Sequence, residues 1–461
     1  MTRLANLAAF VAGASAEAIP DEAIRLARLA LVDLIGVTLA GADEPVSRIV
    51  ARQITASSSD GSATVIGQGM RAGPADAALV NATIGHALDF DDSNMVLGGH
   101  PTVVVLPAVL ALAEARRCSG RAVLEAYVVG FEVTLAMAAA VNFDHFEKGW
   151  HPTATLGVFG AAAACARLLR LSAAQCEAAL GLACAMASGV KASFGTMAKP
   201  LQVGEASRRG VLCAMLAQDG ATASTNALEA RQGFLEVYNG AGHYRAEALD
   251  AVGNGWEILR SGLKFKKYAC CGSTHAPIDA ALALREQHRL RPDAIAQVRI
   301  GLNPRRRTHV DRPVVDGALA AKFSVQFAVA AALTDGAVRL RQFSDAEVGR
   351  PDIRALMDRT VVGDLGEGDA GLSQACEVAV TTVGGECFSL RLQDAQGRGS
   401  EDYPGFMAHK FHDCVEGRLG ENETDDLIAA LLSLDRQAEI GPVMSRLASR
   451  SASPIALEHS R

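Results

Sequence analysis

From Asp21 to about Arg260 the apolar positions of the chain recur at helical spacing, run after run, with short glycine-bearing loops between. "PDEAIRLARLALVDLIGVTLAG" shows the pattern: Pro20 and two acids open it, apolar residues follow three and four apart, and Gly41 closes it. "LSAAQCEAALGLACAMA" begins with Ser172 and Gln175, the S-x-x-Q box that satisfies free amides at a helix start. The opening stretch "MTRLANLAAFVAGASAEA" imitates a signal peptide, but Asn6 interrupts its apolar run. Its leucines, Phe10 and Val11 instead form the stripe of a first amphipathic helix. Residues 149–166 carry no Lys, Arg, Asp or Glu, yet His151 and Pro152 stand near the start, which predicts a buried helix and no membrane span. One β-like piece, "ATVIG" at 63–67, breaks the helical series.

After Leu263 the period changes. "AIAQVRIGLN" (294–303) alternates as a strand does, and so do "CEVAVTTVGG" (376–385) and "ECFSLRLQD" (386–394), which join around Gly384 and Gly385 as a hairpin. Between them "AAKFSVQFAVAAALTDG" reads as helix. Beyond Pro404 the chain is helical again, with Thr424 placed to cap "DDLIAALLSLD". The expected fold is mainly α: a large all-helical domain made from both chain ends, 1–264 and 401–461, with a smaller α+β domain inserted at 265–400.

Composition removes some functions. With 461 residues, 49% of them hydrophobic, and a net charge of −7, the chain has enough apolar residues for a large core. It lacks the basic face that nucleic acid requires. The ten cysteines stand mostly alone in apolar runs, with no CxxC pair, as reduced core cysteines do in a cytoplasmic protein.

The chemistry concentrates in "HALDFDDSNMVLGGHPT", residues 86–102, where three aspartates and two histidines share seventeen positions. A helix starting at Pro74 and Asp76 and running through this stretch would put His86, Asp89, Asp92 and Ser93 on one face and point Asp91 elsewhere. A calcium loop fails on spacing, since Asn94 and His100 stand where glycine and glutamate belong. "GQGMRAG" lacks the dinucleotide glycine spacing. "HKFHDC" offers His409 and His412 on one helical face but no fourth ligand for zinc. An aspartate-rich magnesium–diphosphate site lacks a second acidic motif. Proton chemistry remains. His151, ahead of Pro152, lies in extended chain before a helix. Lys199 sits before Pro200 in a non-helical joint, and His275 lies near another helix start. Helix N-termini suit carboxylate ligands.

With those residues assembled, the chain resembles the MmgE/PrpD family along nearly its whole length. The matching stretches are "LALVDLIGVTLAG", "HALDFDDSN…GGHPT", "GWHPTATLGVFGAAAA", "GTMAKPLQVGEASRRG", "YACCGSTHAPIDA" and "AKFSVQFAVAAAL". Members of that family dehydrate 2-methylcitrate, decarboxylate cis-aconitate or epimerise iminodisuccinate. The resemblance implies that the α+β domain is a lid, that the protein is a homodimer, and that the site lies in the cleft between domains. It places Asp89, Ser93, His100, His151, Lys199 and His275 in the pocket. Ser93 stands where the family commonly has threonine, and His309 in "THVDRP" stands where the decarboxylases use a tyrosine. The acidic loop also lacks the "DT[WY]LA" run of the methylcitrate dehydratases, so the substrate stays open.

All three reactions generate crowded negative charge beside a carboxylate. The expectation is a cofactor-independent lyase, without metal, acting on a small di- or tricarboxylate by dehydration or decarboxylation. His100, His151, Lys199 and Asp89 are its expected catalytic residues, and Asp92, Ser93, His275 and His309 its substrate contacts. An epimerase using the same proton abstraction is the alternative, and a carboxylate-binding protein without turnover is the reading from another class. No membrane or nucleic-acid partner is expected.

Overall fold

The computed structural model describes residues 2–57, 61–365, 374–395 and 403–448. The chain divides into two compact units. The described residues of Met1–Ala87, Asp91–Phe265 and Asp402–Arg461 form the first; Leu88–Phe90 and Lys266–Glu401 supply the second.

Unit one is built on helices, and the predicted starts hold where a cap dictates them. Arg3–Gly13 buries Leu4, Leu7, Ala8 and Val11. Asp21–Gly41 starts after Pro20. Ala173–Met186 carries the reciprocal Ser172–Gln175 box. Gly120–Val141 is long and apolar enough to cross a membrane, but 83% of its apolar window is buried inside the protein, and Glu125 and Glu132 lie on it. This helix crosses Gly157–Leu168 with almost no side chain between the backbones: a Cβ on Gly160 would lie 1.9 Å from Thr134 Oγ1 and 2.7 Å from the Gly130 carbonyl. The closing helix Tyr403–Val415 docks on Asp21–Gly41. Phe411 fills the space above Gly36, and a buried ion pair of 2.5 Å joins Lys410 to Asp33.

Three local expectations need correction. The helix from Pro74 ends at Ala87 and does not run through the aspartates; Asp89 takes a left-handed φ of 52°. The one-face argument for His86, Asp89, Asp92 and Ser93 therefore falls. Lys199 is helical, at the second position of Ala198–Gln218. Pro200 fits there because amides in a first turn have no helical acceptor anyway. Thr424 is no cap: Gly420 holds that position in Glu421–Leu432, and Thr424 bonds back to the Gly420 carbonyl from inside the helix.

Unit two carries a four-stranded sheet. Ile295–Leu302 is flanked by parallel Thr360–Asp364 and antiparallel Cys376–Thr382, which pairs onward with Cys387–Leu392. Cys376–Thr382 alternates strictly between buried and half-buried residues, and the helix His275–His288 packs on it and on Cys387–Leu392. Sequence reading missed Thr360–Asp364, a short strand with no turn signal, and Met70–Ala72, which pairs with Ala63–Val65. "AAKFSVQFAVAAALTDG" is broken into Ala318–Ala321 and Val325–Asp335, because the Ser324 hydroxyl caps a fresh start.

The Gly130–Gly160 crossing tolerates no added methyl, so Gly160→Ala is expected to cost about 1–3 kcal/mol. Gly13→Ala, at a site with nothing within 4 Å, serves as the neutral control. Equal urea midpoints for the two variants would refute the close-packing account.

Candidate active site

Ending the helix at Ala87 changes which aspartate meets the histidines. The next residues turn the chain so that the Asp91 carboxylate stands against two imidazoles. His86 Nδ1 lies 3.0 and 2.9 Å from its two oxygens, and His100 Nδ1 lies 3.1 Å from Oδ2. Asp91, expected to point away, is the centre of the cluster. An ionised carboxylate only accepts, so the His86 ring carries its hydrogen on Nδ1. Burial pushes the Asp91 carboxyl up, but the flanking His100 and His86 outweigh it and hold it well below its ordinary range.

The loop bearing His100 is fixed from within. Asn94 Oδ1 accepts the amides of Val96 and Leu97, while its Nδ2 donates to Ser261 Oγ and the Gly262 carbonyl. Ser93 exchanges backbone hydrogen bonds with Lys264 at 2.9 and 2.8 Å. The His100 amide donates to Thr153 Oγ1. Gly99 permits this approach, since a Cβ there would fall 2.6 Å from the same oxygen.

His151 joins the cluster from the cap position ahead of Pro152, in the extended chain expected of it. Its ring lies 6.1 Å from that of His86, and the His86 ring lies 4.7 Å from that of His100. Phe194 meets His151 edge-on at 4.9 Å and lies 5.2 Å from Lys199 Nζ. Unit one thus brings His100, His151 and Lys199 together. Burial first, and the Lys199 charge second, hold His151 well below the usual imidazole range. Burial pulls His86 down to about 4 against the raising effect of Asp91. Both rings are therefore neutral near pH 7. The His86 side chain is fully buried and that of His100 is 12% exposed, so His100 is the ring of this pair that an outside molecule can reach.

The donor atoms of His86, Asp91 and His100 are of the types a divalent metal accepts. With both Nδ1 atoms turned onto the carboxylate, hydrogen bonds account for their arrangement. His409 and His412 are drawn to Asp413 and Asp425 respectively, away from any shared site with the buried Cys414.

The remaining residues have other partners. Asp92 is buried and accepts a hydrogen bond from Thr102 Oγ1. In unit two, Lys266 Nζ lies 2.9 Å from Asp89 Oδ2 and donates to the Asp89 carbonyl. His275 is buried in the same unit, 3.3 Å from the Cys270 carbonyl and edge-on to Tyr268. His309 is half-buried in the helix Pro304–Val310. Sequence reading missed Asp91, and left His86 out of the expected catalytic set. They stand five apart, a spacing that no regular element puts on one side.

A third neutral histidine, His145, is linked to His151 through Thr155. His145 Nε2 contacts Thr155 Oγ1 at 2.7 Å and its Nδ1 contacts Asn239 Oδ1 at 2.9 Å, while the Thr155 hydroxyl reaches the His151 carbonyl. Burial lowers His145 to about 4.

Two family models match the chain in succession. The family model described as the MmgE/PrpD N-terminal domain matches residues 5–247, and that of the MmgE/PrpD C-terminal domain matches residues 268–436. A cis-aconitate decarboxylase of Aspergillus terreus is 29% identical over 464 residues, covering 95% of this chain and 94% of the relative. The human cis-aconitate decarboxylase is 29% identical over 433 residues, 90% of this chain and 88% of its own. A cis-aconitate decarboxylase-like protein, oryM, of Aspergillus oryzae is 31% identical over 368 residues, 74% and 75% of the two chains.

His86 and His145 are neutral in the folded protein down to about pH 4, whereas an unfolded imidazole takes its proton near pH 6.5. Between those values the unfolded chain binds more protons, so stability falls as pH drops from about 6.5 to about 4, by about 1.4 kcal/mol per pH unit for each such ring. His145→Gln should flatten that slope by about one proton in urea titrations run at several pH values. A slope unchanged by the substitution would show that His145 is not held neutral.

Proposed function

The chain belongs to the MmgE/PrpD family, and from that premise we propose that it is a cofactor-independent lyase that decarboxylates a small unsaturated tricarboxylate. The first candidate is cis-aconitate, the substrate named for its relatives. The observation that carries this reading is the Asp91–His100 pair: a carboxylate on Nδ1 of the more accessible imidazole. Such a partner fixes the tautomer and holds the positive charge that the ring carries during proton transfer.

In the proposed reaction a carbon–carboxylate bond breaks and leaves as carbon dioxide. Its electron pair stays on carbon and spreads into the adjoining unsaturated carboxylate. The His100 imidazolium gives that carbon its proton and recovers one from water. Lys199 stabilises the developing charge, and the neutral His151 offers a hydrogen-bonding edge that adds no positive charge of its own. The pair equally supports dehydration, where His100 takes the proton and hydroxide leaves. Returning the proton to the opposite face of the same carbon would give epimerisation. The roles of Asp89, Ser93, His275 and His309 are proposed on the family resemblance alone.

Proton NMR in D₂O of the purified protein with cis-aconitate, 2-methylcitrate, citrate and iminodisuccinate tests the reading. Loss of cis-aconitate signals with growth of a decarboxylated product is expected. Elimination from a hydroxy acid, or carbon–proton exchange without net change, would replace decarboxylation by the dehydratase or epimerase reading. On the substrate found, His100→Gln should lower kcat/KM by roughly 10² to 10⁴, and Lys199→Ala by roughly 10². A His100→Gln enzyme within about twofold of wild type would remove His100 from the chemistry. Activity lost to EDTA and restored by Mg²⁺ would replace this mechanism with a metal-dependent one.

A further inference from the structure

We propose that Asp92, Thr102 and Tyr127 form a buried clamp that positions the Asp91–His100 pair, making Asp92 a positioning residue. The proposal rests on the reading of that pair as the acid–base device.

The loop from Asp91 to Thr102 is closed twice at its base. On one side the Asp91 carboxylate lies 3.1 Å from His100 Nδ1. On the other the carboxylate of the next residue, Asp92, accepts from the hydroxyl of Thr102, two residues beyond His100. Thr102 opens the helix Thr102–Ala115, and its oxygen lies 2.7 Å from the Tyr127 hydroxyl. With the Thr102 hydrogen committed to Asp92, Tyr127 is the donor in that bond. Tyr127 is wholly buried on the core helix Gly120–Val141, so the clamp ties the loop to the buried core of unit one.

In this clamp Asp92 is the neutral acid. Asp92 is 1% exposed, and its Oδ1 has no hydrogen-bond partner among the described residues. An ionised oxygen left like that would carry a heavy desolvation cost. The charged groups around it are Asp33, Asp91 and Lys410, and Lys410 is already paired with Asp33 at 2.5 Å. Of these groups the one cation is already committed to Asp33, so it does not balance a third carboxylate. Burial first, and the Asp33 charge second, hold Asp92 well above the ordinary carboxylate range. A neutral Asp92 also spares Asp91 a like charge on the neighbouring residue, leaving Asp91 the anion that faces His100.

The test compares Asp92→Asn, Asp92→Ala, Thr102→Val and Thr102→Ser, each first checked for folding by circular dichroism and melting. An amide reproduces a neutral acid, so Asp92→Asn should keep kcat/KM within about threefold of wild type with its pH profile unmoved. Asp92→Ala and Thr102→Val should lose roughly ten- to hundredfold, in kcat more than in KM, with a displaced pH profile. Thr102→Ser, which keeps the hydroxyl, should rescue. The titration of the His100 ring, followed by NMR without substrate, should move in Thr102→Val. That measurement decides the clamp even if no acid in the panel is turned over, which would count against the lyase reading alone. Asp92→Asn as damaging as Asp92→Ala would overturn the neutral clamp. So would a His100 titration unmoved in folded Thr102→Val. If Asp92→Ala does not fold, the threonine pair carries the decision.

Discussion

A carboxylate removed from water must be compensated where it lies, and for Asp91 the compensation is two imidazoles, His86 and His100. Much of the local structure follows from that requirement. The helix from Pro74 has to end at Ala87, because a helical continuation would not bring position 91 back over His86. The chain leaves through a left-handed Asp89 and returns along a loop pinned by the backbone bonds of Ser93 to Lys264. Gly99 then lets His100 come close to Thr153.

The same accounting sets the charge state of the surroundings. His86 and His151 are neutral, for want of water and because Lys199 is near. Asp33 takes the Lys410 ammonium, which leaves Asp92 as an acid. A dense group of titratable residues thus reduces to a few real charges: Asp91, Lys199 and the Asp33–Lys410 pair. For an anionic substrate this is a more favourable field than the acid-rich sequence suggests, since one of its carboxyls is neutral and another is spent on histidines.

In unit two a parallel solution appears. Lys266 and Lys322 are both buried and direct their ammonium groups at the short segment Leu88–Phe90. Lys266 engages the Asp89 carboxylate and carbonyl, and Lys322 the Leu88 carbonyl at 2.9 Å. Lysine buries when its donors are fully used, and here backbone oxygens serve as well as a carboxylate. The left-handed turn at Asp89 is held on this side by two cations, as the turn at Asp91 is held in unit one by two imidazoles.

Sequence alone determined what depends on neighbours along the chain. The helices opened by Pro20, by the Ser172–Gln175 box and by Pro152 were legible, because a cap is a contact within one turn. So was the hairpin at Gly384 and Gly385, where alternation meets a turn. The stretch 86–102 announced itself by composition, and His100, His151 and Lys199 were found from residue type and the motifs around them. What sequence could not decide was which carboxylate meets which ring. Helical spacing chose Asp89 and Asp92 and dismissed Asp91, because that rule assumes the helix continues. Only tertiary structure shows the helix stopping at Ala87 and Asp91 meeting His86 and His100. Burial and charge compensation are properties of the whole packed molecule, so the residue that organises the cluster stayed hidden until the chain was folded around it.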